Sequence, residues 1–422
     1  MKILIVSQYY WPETFRINEV AKSLREAGCE VSVLTGQPNY PDGHVFEGYR
    51  AWSIGREVHD GICIQRVPLA PRGRSGTFRL IANYLSFVFG ASLFGPWLLR
   101  GQRFDVVFVY GASPILKIFP ALVVRRFTGG VLVSWVQDLW PQSLHVTGFV
   151  RNPRLLGIVA ALVSWLYRHN DLVLVQSQGF VPLVAAMAGR TPVEYHPNPG
   201  ELDFLAEPEG PPAVTLEAGF NVVFAGNLGT VQALETVLAA ALLLRDDPGI
   251  RFVLIGSGSR SEWLRREVER LGLGNVQMPG RFPPNAMPAI LAQAAALLVS
   301  LTRDPVLSQT VPSKIQAYLA AGRPIIASLD GEGARVVELA GAGVVCPAED
   351  AAALAAAARY LHARPPSELD RMGQAGHDYY LRHFEPGMLA RRLTQRFADL
   401  IASRGEAVTE GRNRAKGSDN GQ

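Results

Sequence analysis

One pattern limits the fold more than any other. Short aliphatic runs alternate with helix-length segments in two separate series, and a proline- and glycine-rich stretch divides them. The first series opens with a strand predicted over residues 2–7. A loop follows (Gln8-Tyr-Tyr-Trp-Pro-Glu-Thr-Phe15), then a helix over about 16–27 that Gly28 stops, then a strand over 31–35. Such a unit begins a parallel sheet with helices on both faces. Further strands are predicted at 62–67, 105–110, 131–136 and 172–175. The segment from His196-Pro-Asn-Pro-Gly200 to Glu207-Pro-Glu-Gly-Pro-Pro212 reads as a linker. Beyond it come strands at 222–225, 252–255, 297–300, 325–327 and 344–345, with helices at 232–244, 261–271, 286–292, 312–320 and 351–361. The expectation is an α/β protein of two Rossmann-like, doubly wound domains facing across a cleft. They cover residues 1–200 and 215–383, a helix over 384–403 returns to the first, and 404–422 forms a disordered tail.

Composition agrees with two globular domains. The 422 residues are 48% hydrophobic and only 18% charged, too long for one ordinary core and too apolar for disorder. Cys29, Cys63 and Cys346 are widely spaced and match no metal spacing, which points to buried thiols in a reducing compartment. The amino terminus has four consecutive aliphatic residues after Lys2, too few for a signal peptide.

Charge is unevenly placed. The formal net charge is +4, yet residues 50–170 hold fourteen Lys/Arg against four Asp/Glu. These basic residues are interleaved with long apolar runs, a pattern that favours an anionic membrane surface over nucleic acid. Residues 80–99 (LIANYLSFVFGASLFGPWLL) are nearly all apolar between Arg79 and Arg100. That length reaches the roughly 20 residues of a bilayer span. Spanning would part the opening strands from their sheet partners, so two readings stand: a buried helix, or one lying in the bilayer interface. Residues 155–167, ringed by Arg151, Arg154 and Arg168, would share that surface.

The sharpest local signal is Val311-Pro-Ser-Lys-Ile-Gln-Ala-Tyr-Leu-Ala-Ala-Gly-Arg-Pro-Ile325. Pro312 suits the start of a helix and Gly322 its end. A helix start beside Ser313 and Lys314 joins free N–H groups, a positive dipole end and an ammonium, which suits a phosphate. Phe224-Ala-Gly-Asn-Leu-Gly229 sets two glycines at a strand-to-helix turn, where backbone can approach a phosphate. The Gly256-Ser-Gly258 turn lacks a third glycine, since Ser261 stands there, which argues against a dinucleotide enzyme.

Taken with Asn18-Glu-Val-Ala-Lys-Ser-Leu24, Leu34-Thr-Gly-Gln-Pro-Asn-Tyr-Pro-Asp-Gly43 and Gln137-Asp-Leu-Trp-Pro141, these motifs run in order from Gln8 to Pro324. As a set they resemble glycosyltransferase family 4, the retaining GT-B group, and within it the WbuB/WcaI-like branch of surface-polysaccharide enzymes. The resemblance implies donor contacts at Gly226, Asn227, Gly229, Ser313 and Lys314, with Arg281 and Phe282 at the base. It puts Glu13, Arg16, Asn39 and Tyr40 on the acceptor side, and Asp138 facing the reacting sugar, so that Asp138 and Lys314 are the catalytic candidates. It also exposes a departure: the family's paired glutamates fall on Gln309 and Ala317, leaving Asp304 or Glu338 as substitutes. The implied reaction moves a sugar from a nucleoside diphosphate, with UDP the expected carrier, to a saccharide on a polyprenyl diphosphate at the inner face of the cell membrane. No metal or other cofactor and no nucleic acid take part. A non-hydrolysing UDP-sugar epimerase or a non-catalytic membrane scaffold would share parts of this pattern.

Overall fold

The computed structural model describes residues 1–73, 76–146, 152–200, 211–247 and 249–419. Most of the linker, together with Arg74 and Arg151, lies outside the described residues. The chain divides into two units. The first comprises Met1–Gln176, Phe180–His196 and the chain from Pro386 onward; the second comprises Ser177–Gly179 and Pro197–Glu385.

The first unit runs β1 (Lys2–Val6), α1 (Arg16–Glu26), β2 (Glu30–Gly36), β3 (Gly55–His59), β4 (Ile62–Val67), α2 (Thr77–Leu98), β5 (Val106–Gly111) and α3 (Ile118–Thr128). It continues through β6 (Val131–Val136), α4 (Gln142–Val146), α5 (Pro153–Arg168), β7 (Leu172–Val175), α6 (Phe180–Ala188) and β8 (Val193–Tyr195). The sheet order is β3-β4-β2-β1-β5-β6-β7-β8, parallel except for β3, which pairs antiparallel with β4. Strand alternation sorts the core into two layers. Leu4 and Val6 of β1 face the helices α2, α3, α5 and α6, while Ile3 and Ile5 face the other way, onto α1 and the chain's last helix.

The second unit runs β9 (Phe220–Asn227), α7 (Leu234–Leu243), β10 (Ile250–Ser257), α8 (Ser261–Leu271), β11 (Val276–Gly280), α9 (Met287–Leu291) and β12 (Ala296–Ser300). Then come α10 (Ser313–Ala320), β13 (Ile325–Ser328), α11 (Glu332–Ala340), β14 (Gly343–Cys346), α12 (Ala351–His362) and α13 (Pro366–His383). Its six parallel strands follow the order β11-β10-β9-β12-β13-β14, so the strand order reverses beside β9. Ligands of such sheets sit outside the carboxyl ends of the strands at that reversal.

One feature differs from the sequence reading, and one that the sequence left open between two readings takes a definite place in the fold. The last helix, α14, runs from Pro386 to Asp419 and replaces the disordered tail expected from residue 404. No proline follows Pro386, and once a helix is nucleated by packing, alanine and charged residues extend it across occasional glycines. The apolar helix α2 is a surface helix of the first sheet. Asn83, Phe87, Gly90, Ala91 and Gly95 form its buried face. A Cβ on Gly95 would lie 2.8 Å from Val124 of α3, and one on Gly90 would lie 2.7 Å from the Pro68 carbonyl, so small residues set the docking distance. The opposite face is open: Phe78 is 83% exposed, Phe89 69% and Trp97 63%.

Candidate functional site

A cavity of about 550 Å³ opens at the carboxyl ends of β9 and β10, at the reversal of the second sheet. Gly226 and Gly256 lie side by side there, in parallel register. Both take positive φ, 142° and 137°, and a Cβ on Gly256 would lie 1.8 Å from the Gly226 carbonyl. Only glycine lets the two strand ends approach so closely. The space above Gly226 is taken by Lys314: a Cβ there would lie 2.7 Å from the lysine Cε.

Lys314 belongs to the first turn of α10. Ile315 and Leu319 bury the inner face of this helix, and Gln316 Nε2 donates to the Asn198 carbonyl. The N-cap is Pro312, and no side chain caps it; Ser313 is the first helical residue and lines the cavity. First-turn N–H groups therefore lack a side-chain acceptor. Lys314 Nζ donates to Gln232 Oε1 at 2.6 Å and lies 5.0 Å from the Phe224 ring centre. Burial lowers its pKa from 10.5 to about 8. No carboxylate pairs with it among the described residues, and its one fixed partner is neutral. An ammonium has three donors, so this site has room for an anion.

Of the expected donor residues, Gly226, Asn227, Arg281, Phe282, Ser313 and Lys314 meet around this cavity. Gly229 does not line it; it precedes the short turn Thr230–Gln232 and packs on the Asn227 side chain. Tyr318 and Gln232 were missed in the sequence. Tyr318, one helical turn after Lys314, accepts from the Ala225 N–H (2.8 Å) and donates to its carbonyl (3.2 Å), which fixes the end of β9. The spacing of four was the available signal. Ala317, where the family has a glutamate, lines the cavity as an apolar wall. Neither proposed substitute replaces it: Asp304 Oδ1 accepts the N–H groups of Val306 and Leu307, and Glu338 is exposed on α11 away from the cavity lining.

In the first unit the expected residues gather at the carboxyl ends of β1, β2, β5 and β6. Glu13 is 1% exposed; Oε1 accepts the N–H groups of Asn39 and Tyr40 (both 2.7 Å) and Oε2 that of Tyr10 (3.3 Å). Desolvation raises its pKa to about 7. Asn39, fully buried, accepts from the Arg72 N–H and from Asn83 Nδ2. Asn83 in turn accepts from Gln8 (2.7 Å) and Tyr9 (3.1 Å) and donates to the Ala70 carbonyl. Glu13 and Asn39 hold the loops at this end of the sheet, because their polar atoms are spent on buried backbone and side chains. Tyr40 and Arg16 remain partly exposed. Asp138, at the end of β6, is also partly exposed. Its Oδ2 accepts from the Ser113 N–H (2.7 Å) and Oγ (2.8 Å). His196 is packed: it is 5% exposed against the Trp135 ring, and burial lowers its pKa to about 3.

Comparison with known proteins matches both halves of the chain. Residues 14–199 match the family described as glycosyl transferase 4-like domain, and residues 219–364 match glycosyl transferases group 1. The chain is 28% identical over 339 residues to the putative colanic acid biosynthesis glycosyl transferase WcaI of Escherichia coli K12, spanning 76% of this chain and 82% of that protein. It is 27% identical over 300 residues to the probable glycosyltransferase WbjE of Pseudomonas aeruginosa, spanning 67% and 72%. Its fold is similar to sucrose-phosphate synthase from Thermosynechococcus elongatus (TM-score 0.69, 16% identity, 95% and 99% of the two chains). It is also similar to Anabaena HepE in complex with UDP and glucose (TM-score 0.64, 14% identity, 94% and 99%). A 4-like domain followed by a group 1 domain, on two parallel Rossmann-like sheets, makes this chain a family 4 glycosyltransferase with the α/β architecture of the GT-B class.

Proposed function

We propose that this enzyme moves a sugar from a UDP-linked donor to a saccharide carried on a polyprenyl diphosphate, with retention of configuration, during surface-polysaccharide assembly of the O-antigen or exopolysaccharide kind. Lys314 carries this reading. Its partly buried amine has a neutral hydrogen-bond partner only, and it lies at an uncapped helix start over two touching glycine strand ends. That arrangement suits the two phosphates of a departing UDP, whose growing charge a preorganised ammonium and helix dipole stabilise more than they stabilise the bound donor. Arg281 and Phe282 border the same cavity and suit the base. Asp138, at the end of β6, is the candidate carboxylate for the reacting sugar. The named role of the WcaI relative and the UDP and glucose of HepE support this substrate class. With the leaving charge met by protein groups, transfer needs no bound metal, and a chelator should leave turnover unchanged.

A lipid-borne acceptor calls for a membrane-facing surface, and one layer of the first unit suits it. α2, α3 and α5 cover the same face of the sheet, and Phe119 and Trp165 touch across the last two. The outward sides of this layer expose Phe78, Leu85, Phe89, Leu93, Trp97, Phe127 and Ile158. Arg79, Arg100, Arg126, Arg154 and Arg168 are exposed on the same elements or at their ends. Apolar side chains would enter the acyl boundary while each arginine near anionic headgroups adds about 1 kcal/mol. We propose that the enzyme works at the cytoplasmic face of the cell membrane, and this exposed apolar and basic layer supports a membrane-facing position.

The test is turnover of a nucleotide-sugar panel by the full chain on anionic vesicles containing a polyprenyl-diphosphate-linked saccharide. Transfer that Lys314→Ala abolishes supports the reading. No turnover of any donor, or consumption of a UDP-sugar without acceptor as an epimerase would show, refutes it.

A further inference from the structure

Among the described residues, no Asp or Glu lines the donor cavity of the second unit. Its polar lining consists of Asn227, Ser257, Arg281, Ser313, Lys314 and the Tyr318 hydroxyl, and the hydroxyl is already bonded to Ala225. The carboxylates that follow the neighbouring strands are engaged elsewhere. Glu235 pairs with Arg260, Asp330 with Arg303 and Glu332 with Arg335, while Asp304 holds the turn after β12.

This composition bears on the middle of a bound nucleotide. Ala317 stands three residues after Lys314 on α10, and both line the cavity from the same face of the helix. Ala317 also packs with Phe282 and Met287 on one apolar cluster that includes Leu291 and Ile315. Between the ammonium and the apolar end at Phe282, Pro284 and Met287, α10 therefore offers a methyl group. With the diphosphate at Lys314 and the base at Phe282, the pentose crosses that methyl.

A carboxylate can accept both vicinal hydroxyls of a ribose. A site built that way rejects the analogue that lacks one hydroxyl, because a desolvated acceptor is left unpaired. A methyl wall has no acceptor to leave unpaired. The extra methyl that distinguishes thymine from uracil adds apolar surface, which suits Phe282, Pro284 and Met287.

We propose that this donor site does not read the 2′-hydroxyl of the pentose, so that 2′-deoxyribonucleoside diphosphates, dTDP included, bind alongside UDP, and that Ala317 sets this breadth. The inference rests on the reading above that the cavity holds a nucleoside diphosphate, and it widens the donor class to deoxyribonucleotide sugars.

The experiment measures UDP, dUDP and dTDP affinities by calorimetry on the full chain as wild type, Ala317→Glu and Lys314→Ala. UDP and dUDP differ by one hydroxyl. A neutral hydrogen bond is worth about 2- to 12-fold and a charge-assisted one about 10- to 100-fold, so wild type should bind the two within about tenfold. A larger preference for UDP means that a charged acceptor takes the hydroxyl, and it overturns the proposal. dTDP should bind within about tenfold of dUDP, and a weaker dTDP overturns its inclusion. Ala317→Glu should raise the UDP-over-dUDP ratio at least about tenfold, whatever pairing with Lys314 does to the absolute affinities, and a smaller rise overturns the role given to Ala317. If that variant does not fold by its melting curve, Ala317→Asp is judged by the same ratio, and the wild-type ratio decides the breadth in either case. Lys314→Ala should weaken all three nucleotides at least about tenfold; deoxynucleotide binding that survives it lies outside the cavity and overturns the proposal. A wild type that binds none of the three defeats the donor reading itself, an outcome distinct from one that binds UDP alone.

Discussion

Replacing Lys314 by methionine should make the protein more stable and worse at binding UDP. Its pKa falls from 10.5 to about 8 because burial strips water from the ammonium. At about 1.4 kcal/mol per pH unit, that difference is about 3 kcal/mol, and less once partial solvent contact is allowed for. The sign follows from proton counting. Between pH 8 and 10.5 the unfolded chain holds a proton that the folded chain has released, so the penalty is full below about pH 8 and fades as pH rises toward 10.5. Methionine removes it, and the gain in melting temperature should be largest near neutrality. Affinity moves the other way. A charge-assisted bond to phosphate contributes about 1.5–3 kcal/mol, so Lys314→Met should weaken UDP binding by about 10- to 100-fold. In wild type the UDP affinity should be flat below pH 8 and fall by up to about tenfold per pH unit above it, with proton uptake on binding. Calorimetry in two buffers of different ionisation enthalpy reads both affinity and proton count. UDP affinity that stays level to pH 9.5, or a Lys314→Met protein that binds like wild type, would refute the claim that this ammonium meets the diphosphate.

Three further outcomes follow from the geometry. Gly226→Ala sets a Cβ 2.7 Å from Lys314 Cε on a backbone with φ 142°, so UDP affinity should drop at least about tenfold, with a loss of about 1–3 kcal/mol in denaturant unfolding. Tyr318→Phe removes the acceptor of the buried Ala225 N–H and should cost about 1–3 kcal/mol by the same measurement. Glu13 has a folded pKa raised from 4.5 to about 7, so its contribution to stability is full below pH 4.5 and lost as pH rises through 7. Melting curves of Glu13→Gln should lack that slope, and an identical pH profile in both proteins rules the assignment out.

Much of this arrangement was legible in the residues. α10 could be bounded from Pro312 and Gly322 because both act locally, through a fixed φ and a permitted turn. Strand β11 could not, since Val276-Gln-Met-Pro-Gly280 is an edge strand without an aliphatic run, and its proline signals a loop. Glu13 and Asn39 were legible as polar residues of a loop motif but not as buried ones, because their partners are backbone N–H groups and Asn83, far along the chain. Lys117 left a faint mark, a single cation inside Ile115-Leu-Lys-Ile-Phe119, and only packing reveals that its amine lies in the core.

The last helix has a consequence for biogenesis. α14 seats Leu393 and Phe397 on the first sheet, with Phe397 edge-on to Phe108, and Arg396 clamps Glu194 through two bonds of 2.8 and 2.6 Å. The first unit thus begins at residue 1 yet is closed by a segment made after the whole second unit. On the ribosome, the apolar side of the sheet that holds Ile3, Ile5 and Val33 has only α1 over it while nearly 200 further residues emerge. A nascent chain stalled before Pro386 would display that face to chaperones, whereas its second unit would already have every strand it needs.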